Sequence, residues 1–413
     1  MGYINMKKFN KDKYLKKLRF KKYKRYLYIG IPCILVLLIG IYFAYSKFSV
    51  FKEEEVVRTT VGDFISGDDV IGAYINGEYS NTIPGKNDGY VVDKIVCDNN
   101  ASASWDNDSW GIVLTNLTKR TKCNIYFETK KPSLTESITN AMSNNSTMFA
   151  SDDADKNVRY IGANPNNYVY FNCSDYNNPT ADTCELWRII GVFNNITKSD
   201  GTKENLVKII RDDSIGDIAW DDNNVNDWST ATLQQNLNSG TYYTTTLKND
   251  TTRNAIEEVV WNLGGTNTYN SASNGLASHW YGYERGTTVY SGRPTKWTGK
   301  IGLMYPSDYG YATSGGTTKD RAACLAKELH NWDLSDFSDC KGNDYLYNSR
   351  IQWTLAPLSA LADRVILVGG AGYVNYYDAY WSNAVRPALF LKSNIQVDKG
   401  TGAKSDPYQL SVN

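Results

Sequence analysis

His279 and His330 are the only histidines in 413 residues. A serine or cysteine nucleophile needs a base beside it, usually histidine, so these two bound what nucleophilic chemistry the chain can do. His279 stands in Ser278-His279-Trp280, and His330 precedes Asn331-Trp332. Each reads as a loop or helix-end histidine rather than a base. Cysteine chemistry is equally restricted. Cys97, Cys123, Cys173, Cys184, Cys324 and Cys340 form three sequence-local pairs. An even number in an exported region points to disulfides, with nearest neighbours joined as the expected scheme among the fifteen that six cysteines allow. Zinc is the alternative, but no C-x-x-C spacing occurs, and His330 between Cys324 and Cys340 matches no familiar zinc pattern.

Paired carboxylates could hydrolyse a glycosidic bond. Acids cluster at Asp152-Asp153-Ala154-Asp155 and at Asp221-Asp222. Both clusters sit in polar stretches, so solvated loop acids are expected rather than a pair with one raised pKa. Asp153-x-Asp155-x-Asn157 opens like a calcium loop, yet Val158 holds the position that needs glycine and Asn164 the position that needs glutamate. Asp222-x-Asn224-x-Asn226 fails in the same way. An EF-hand is excluded, and a looser oxygen cage for calcium is the one cofactor left open. Gly369-Gly370-Ala371-Gly372 follows a strand pattern without a helix pattern after it, so it makes no phosphate site.

The richest segment is Gly372–Asn383. It holds Tyr373, Asn375, Tyr376, Tyr377, Asp378, Tyr380, Trp381, Ser382 and Asn383. Tyrosine and tryptophan supply contact area at low entropic cost, while asparagine and serine supply adaptable hydrogen bonds. The segment is either a ligand-binding face, with Trp280 and Tyr281 as candidate neighbours, or a tyrosine-rich hairpin packed on its own domain.

Other parts of the chain must place that segment. Lysine plus arginine and aspartate plus glutamate number 44 each, so the formal charge is zero. The balance hides a division. Residues 1–26 carry eleven basic side chains against Asp12, about +10, and the remainder carries about −10. Residues 27–46 are uncharged and mostly apolar, near the roughly 20 residues that span a bilayer. By the positive-inside rule, the basic tail stays cytoplasmic and the chain after Lys47 is exported. A cleaved signal peptide is the rival reading, since Ala44-Tyr45-Ser46 has a cleavage-site spacing. The apolar run exceeds the usual signal core, which favours an uncleaved signal-anchor helix. An acidic exported body excludes nucleic acid as a partner.

Residues 48–131 read as a small all-β module. Val91–Cys97, Trp110–Thr115 and Lys122–Phe127 are its short strands, with Trp105 and Trp110 as core anchors. Ser133-x-x-Glu136 has a capping-box spacing, so a helix follows it, and residues 132–413 form an α+β domain. Strands are expected at 168–172, 186–193 and 206–210. Helices are expected at 227–238, 252–263 and 320–329. Closing strands are expected at 352–355, 364–368 and 385–391.

Leu186-Trp187-Arg188-Ile189-Ile190-Gly191, Asp227-Trp228-Ser229, Trp353-Thr354-Leu355-Ala356-Pro357 and above all Val385-Arg386-Pro387-Ala388-Leu389 resemble the C-type-lectin-like domain of bacterial surface proteins. Over about residues 155–395 the pattern is similar to the formylglycine-generating-enzyme-like branch and to retroelement variable proteins. Residues 91–127 resemble a small immunoglobulin-like module, on Cys97-Asp98-Asn99, Trp105-Asp106 and Cys123–Phe127. One departure is Asn383-Ala384, where relatives usually carry glycine before Val-Arg-Pro. The resemblance implies an exported protein of low-GC, Gram-positive-type bacteria. Formylglycine-type activity would need reactive cysteines, and all six here can pair locally. The expectation is therefore a non-enzymatic, membrane-anchored adhesion or ligand-binding protein whose ligand is an extracellular protein or glycan. A glycan-active hydrolase using a carboxylate pair, and a structural envelope protein without a ligand, are the alternatives.

Overall fold

The computed structural model describes residues 70–98, 100–115, 121–270 and 275–412, together with Lys16. Otherwise the basic tail 1–26 and the apolar span 27–46 lie outside the described residues. Among the described residues no helix is long and apolar enough to cross a membrane. The fold is mixed, rich in sheet with few and short helices, and the chain divides into two compact units after Lys130.

The first unit is built from β1 (Val70–Ile75), β2 (Glu78–Ser80), β3 (Tyr90–Cys97), β4 (Ser102–Asp106), β5 (Gly111–Thr115) and β6 (Lys122–Thr129). Four strands form a sheet in the order β2-β1-β6-β3, with β1 parallel to β6, and β4 and β5 form a hairpin. Alternation explains β6: Cys123, Ile125 and Phe127 are buried, while the residues between them are not. Trp105 packs edge-on against Phe127 at 5.4 Å and against Trp110 at 5.2 Å. The Cys97–Cys123 disulfide joins directly opposed residues of β3 and β6.

The second unit opens with α1 (Leu134–Asn144), whose capping box is complete: Glu136 N donates to Ser133 Oγ and Ser133 N to the Glu136 carboxylate. Leu134 and Ile138 bury its inner face. Strands β7 (Phe149–Ala150), β8 (Val158–Tyr160), β9 (Tyr168–Phe171), β10 (Glu185–Thr197), β11 (Lys203–Arg211) and β12 (Asp217–Ala219) follow. Then come α2 (Thr232–Asn238), α3 (Asp250–Ala255), β13 (Val259–Asn262) and α4 (Ala277–Arg285). After β14 (Lys296–Gly299) and β15 (Ile301–Gly302) come α5 (Pro306–Ala312), α6 (Arg321–Leu325) and α7 (Ser338–Gly342). The end is again sheet: β16 (Gln352–Pro357), β17 (Arg364–Val368), β18 (Val374–Asp378), β19 (Ser382–Ala384), β20 (Ala388–Leu391), β21 (Gln396–Lys399) and β22 (Gln409–Ser411).

The main sheet runs β15-β20-β11-β10-β8-β7, with β9 also on β10. Its centre is buried on both faces, as the unbroken apolar stretches in β10 and β20 require. Gly191 is needed where β8 crosses, since a Cβ there would lie 2.2 Å from Val158 O. A second sheet runs β12-β19-β16-β17-β18 and carries the tyrosine-rich segment. The Cys173–Cys184 and Cys324–Cys340 disulfides close the β9–β10 loop and join α6 to α7.

Four expected elements differ, the simplest being the helix expected at 320–329, which Asp320 caps and which ends at Leu325. Residues 252–263 are not one helix. Asn249 caps α3, which ends at Ala255, and Val259 and Trp261 then alternate inward as strand β13. The spacing of Ile256, Val259, Val260 and Leu263 imitated a helix face, but the β-branched and aromatic stretch pairs with β14 instead. The helix expected from Asp227 begins at Thr232, because Asp227 holds a turn through Ser229 and the Asp221 carboxylate receives Thr232 N. In the last expected strand only Ala388–Leu391 pairs; Pro387, which has no N–H, stands just before it.

Candidate functional site

The resemblance motifs turn out to be scaffold. Arg386 is buried and donates to Arg211 O at 2.8 Å and Leu346 O at 3.1 Å, tying β11 to the loop before β16. Trp187, Trp228 and Trp353 are all core residues. Arg188 donates to Asn167 Oδ1 and stacks 3.7 Å from the Tyr168 ring.

Beneath this scaffold lies a buried charge network that the sequence did not announce. Arg159 on β8 donates to Asp153 at 2.7 Å and to Asp308 on α5 at 2.9 Å, and Lys208 on β11 meets the other Asp308 oxygen at 2.5 Å. Burial alone would raise the Asp308 pKa, but Lys208 and Arg159 hold it down to about 2. Burial pulls the Lys208 ammonium below its usual value, with Asp308 opposing. Burial also pushes Glu284 on α4 up to about 7, against the opposing effects of Arg285 and of hydrogen bonds from Ser307 N and Oγ. The one sequence signal was a lysine inside the apolar stretch Leu206–Ile210.

The acidic clusters are solvated at Asp152, Asp155 and Asp222, as expected, but one residue in each departs from that reading. Asp153 is buried against Arg159 and also receives both Asn157 N and Nδ2. Asp221 is buried too, receiving Asn223 N, Val225 N and Thr232 N. Both are spent on local structure. Among the described residues no group of three or more histidine, cysteine or acidic side chains comes together to hold a metal. Three cavities each carry one carboxylate in their lining, Asp227, Asp93 and Asp155 respectively. In the third, Tyr281 donates to Asp155 at 2.6 Å and Arg285 lies 3.3 Å over the Tyr281 ring, so these polar groups already satisfy one another.

The tyrosine-rich segment is not a self-contained hairpin. Its first part is β18, an edge strand paired with β17, and its last part is β19, between β12 and β16. Residues 379–381 cross between them. The crossing is pinned from several sides: Ala379 N donates to Asp363 O, Asp221 N to Ala379 O, Trp381 N to Asp378 O and Tyr380 N to Asn224 Oδ1. Arg364 on β17 pairs with Asp378.

That geometry sorts the candidate residues. Tyr377, Tyr380 and Trp381 are 36%, 48% and 52% exposed, with Ser382 exposed beside them. Tyr380 and Trp381 stack, their rings 5.4 Å apart and inclined by 26°. Tyr373, Asn375, Tyr376 and Asp378 are half-buried, and Tyr376 meets Tyr269 edge-on at 4.9 Å. Asn383 is buried, as are Trp280 and Tyr281, so none of these three belongs to an exposed face. Leu361 and Tyr290 are exposed on neighbouring loops. Those loops connect to the crossing: Ala362 O receives Asn226 N and an Arg293 Nη, two residues from Asn224 and three from Tyr290. Five of the six large apolar side chains exposed among the described residues of this unit therefore sit on the end of β18, the crossing after it and the loops of Tyr290 and Leu361, which hydrogen-bond to one another or flank such bonds.

No family model matches the chain, and neither a curated protein nor a solved structure does.

Proposed function

We propose that this chain is an exported, ligand-binding surface protein whose ligand face is the loop cluster bearing Tyr377, Tyr380 and Trp381. The observation that carries the reading is the exposed Tyr380–Trp381 stack, held on a turn that three backbone–backbone hydrogen bonds and one to the Asn224 side chain fix. Aromatic side chains of this size are normally drawn inward, and a contiguous exposed group of them on a pinned scaffold marks an interaction site. Three disulfides fit an oxidising compartment. The basic tail and apolar span of residues 1–46 support a single-pass anchor with the N-terminus cytoplasmic. The second unit is taken as a C-type-lectin-like domain and the first as an immunoglobulin-like spacer. The ligand is an extracellular glycan or protein, and no chemistry is assigned to the face.

The test is a binding screen of the full-length protein against glycans and against wall and host extracts. Replacing Tyr377, Tyr380 and Trp381 together by alanine should abolish binding and leave thermal stability nearly unchanged. Retained binding, or a large loss of stability, would instead give these residues a purely structural role.

A further inference from the structure

In the cavity that Asp155 lines, cations outnumber acids. Its volume is about 160 Å³, far above the roughly 10–15 Å³ that holds one water. Its charged residues are Arg285 at the end of α4, Lys296 on β14 and Asp155, two positive against one negative. The chain outside the basic tail carries about −10, so a cationic cavity runs against the charge of the body around it. Its walls are tied together. Asn157 Nδ2 donates to Tyr281 OH at 2.7 Å, and Asn157 Oδ1 receives Asn194 N at 2.7 Å. Asn194 Nδ2 donates to Asp155 O at 3.1 Å. Arg285 is held in place as well: its guanidinium lies 3.3 Å over the Tyr281 ring, Nη1 donates to Tyr281 O at 3.2 Å, and Nε is 3.6 Å from Asp155. That pairing spends Asp155 and leaves Arg285 Nη2 without a partner. Lys296 is exposed and has no ion-pair partner among the described residues. It stands directly opposite Asn262 in the β13–β14 ladder, so an ammonium and an amide line the cavity as cross-strand neighbours. The side chains of Asn262 and Thr197, both in the lining, make no hydrogen bond among the described residues.

We propose that this cavity binds a small hydroxylated monocarboxylate, a sugar acid in size and chemistry, with its carboxylate on Arg285 and Lys296 and its hydroxyls on Asn262 and Thr197. The inference does not depend on the aromatic face proposed above. The charge count decides the class. One positive charge is left over, and a monoanion cancels it. A phosphate brings about −1.5 to −2, and Asp155 would repel the excess. A cation would meet both Arg285 and Lys296. The uncharged polar groups decide the rest. Asn262 both donates and accepts, and so does Thr197, which suits hydroxyls; an apolar acid would desolvate these groups and leave them unpaired. Preorganisation favours binding too. The Tyr281 ring and Asp155 hold the Arg285 guanidinium in one plane, so little of its freedom remains to be lost when a carboxylate arrives.

The experiment is calorimetric titration of the full-length protein with glucuronate, galacturonate, gluconate and N-acetylneuraminate, each beside its uncharged amide. Inorganic phosphate and choline serve as the divalent-anion and cation probes. At least one acid should bind with a Kd below about 1 mM, and its amide about tenfold more weakly or not at all. Lys296→Met should weaken that acid about tenfold, and Lys296→Glu should abolish its binding. Lys296 is exposed, so neither variant should shift the melting temperature. Arg285→Gln should weaken the acid as well; should that variant fail to fold, the two Lys296 variants still decide. The protein with Tyr377, Tyr380 and Trp381 replaced by alanine should bind the acid as the natural protein does, which keeps this site and the aromatic face separately testable. Binding of none of the acids, equal binding of acid and amide, tighter binding of phosphate or choline, or full binding by the Lys296→Glu protein would overturn the proposal.

Discussion

Glu284 is a carboxyl shut inside the domain, receiving Ser307 N and Oγ and lying 3.4 Å from Arg285, whose charge does not outweigh the burial. Its folded pKa of about 7 lies above the ordinary carboxylate value, so the folded state keeps a proton that the unfolded chain releases. Stability from this group is therefore complete at low pH and is lost as pH rises from about 4.5 to about 7, by roughly 3 kcal/mol. Glu284→Gln keeps an acceptor for Ser307 N and should flatten that part of the stability profile in chemical denaturation at several pH values. Asp308 works in the opposite sense: held down to about 2, its contribution is present above the usual carboxylate value and disappears only in strong acid. Neither residue could be identified from the sequence, because nothing in a lone glutamate or aspartate says that it is buried. The cysteines could, since their three close pairs in sequence are the ones the disulfides join. The face residues were half legible. The segment was visible by composition, but which of its tyrosines point outward depends on strand pairing, and Asn383, Trp280 and Tyr281 went inward.

Between elements, Asp308 is the junction. It lets α5 bind both β8 through Arg159 and β11 through Lys208. Asp308→Asn would leave the buried Lys208 without a counter-charge and Arg159 with Asp153 alone, and should cost about 3–5 kcal/mol in urea denaturation. Lys208→Met should cost clearly less, because Arg159 still neutralises Asp308 and the Lys208 site is walled by Phe193, Trp261, Tyr305 and Phe390. Equal losses would contradict a junction centred on Asp308. The disulfides act at the same scale. Closing the loop between Cys173 and Cys184, 11 residues apart, is worth about 3 kcal/mol by loop entropy, and Cys173→Ala with Cys184→Ala should lower the melting temperature by several degrees. Strands such as β3, β6 and β17 were legible because alternation or an apolar stretch marks them. Helix α5 was not. All seven of its residues are buried, so it carries no polar stripe to give a helical period, although Pro306 at its first turn and Asp308 two residues later are start signals in hindsight. Residues 252–263 failed for the converse reason, an accidental helical spacing over residues that prefer strand.

Across the whole molecule, a neutral charge total conceals a basic N-terminal tail and an acidic remainder. That division was legible from the sequence alone, and so was the mixed, sheet-rich character. The gathering of the ligand face was not, because it draws on loops around residues 224, 290, 361 and 380 that only the folded chain brings together. If residues 131–413 form an independent unit, limited proteolysis near Lys130 should release a fragment that melts at the temperature of the second unit in the intact protein. The most direct measurement of the central claim is hydroxyl-radical footprinting of the full-length protein with and without a ligand from the binding screen. Tyr377, Tyr380 and Trp381 should oxidise readily in the free protein and be protected on binding, with Tyr79 unchanged as the exposed control. Protection elsewhere, with these three still oxidised in the complex, would contradict the account.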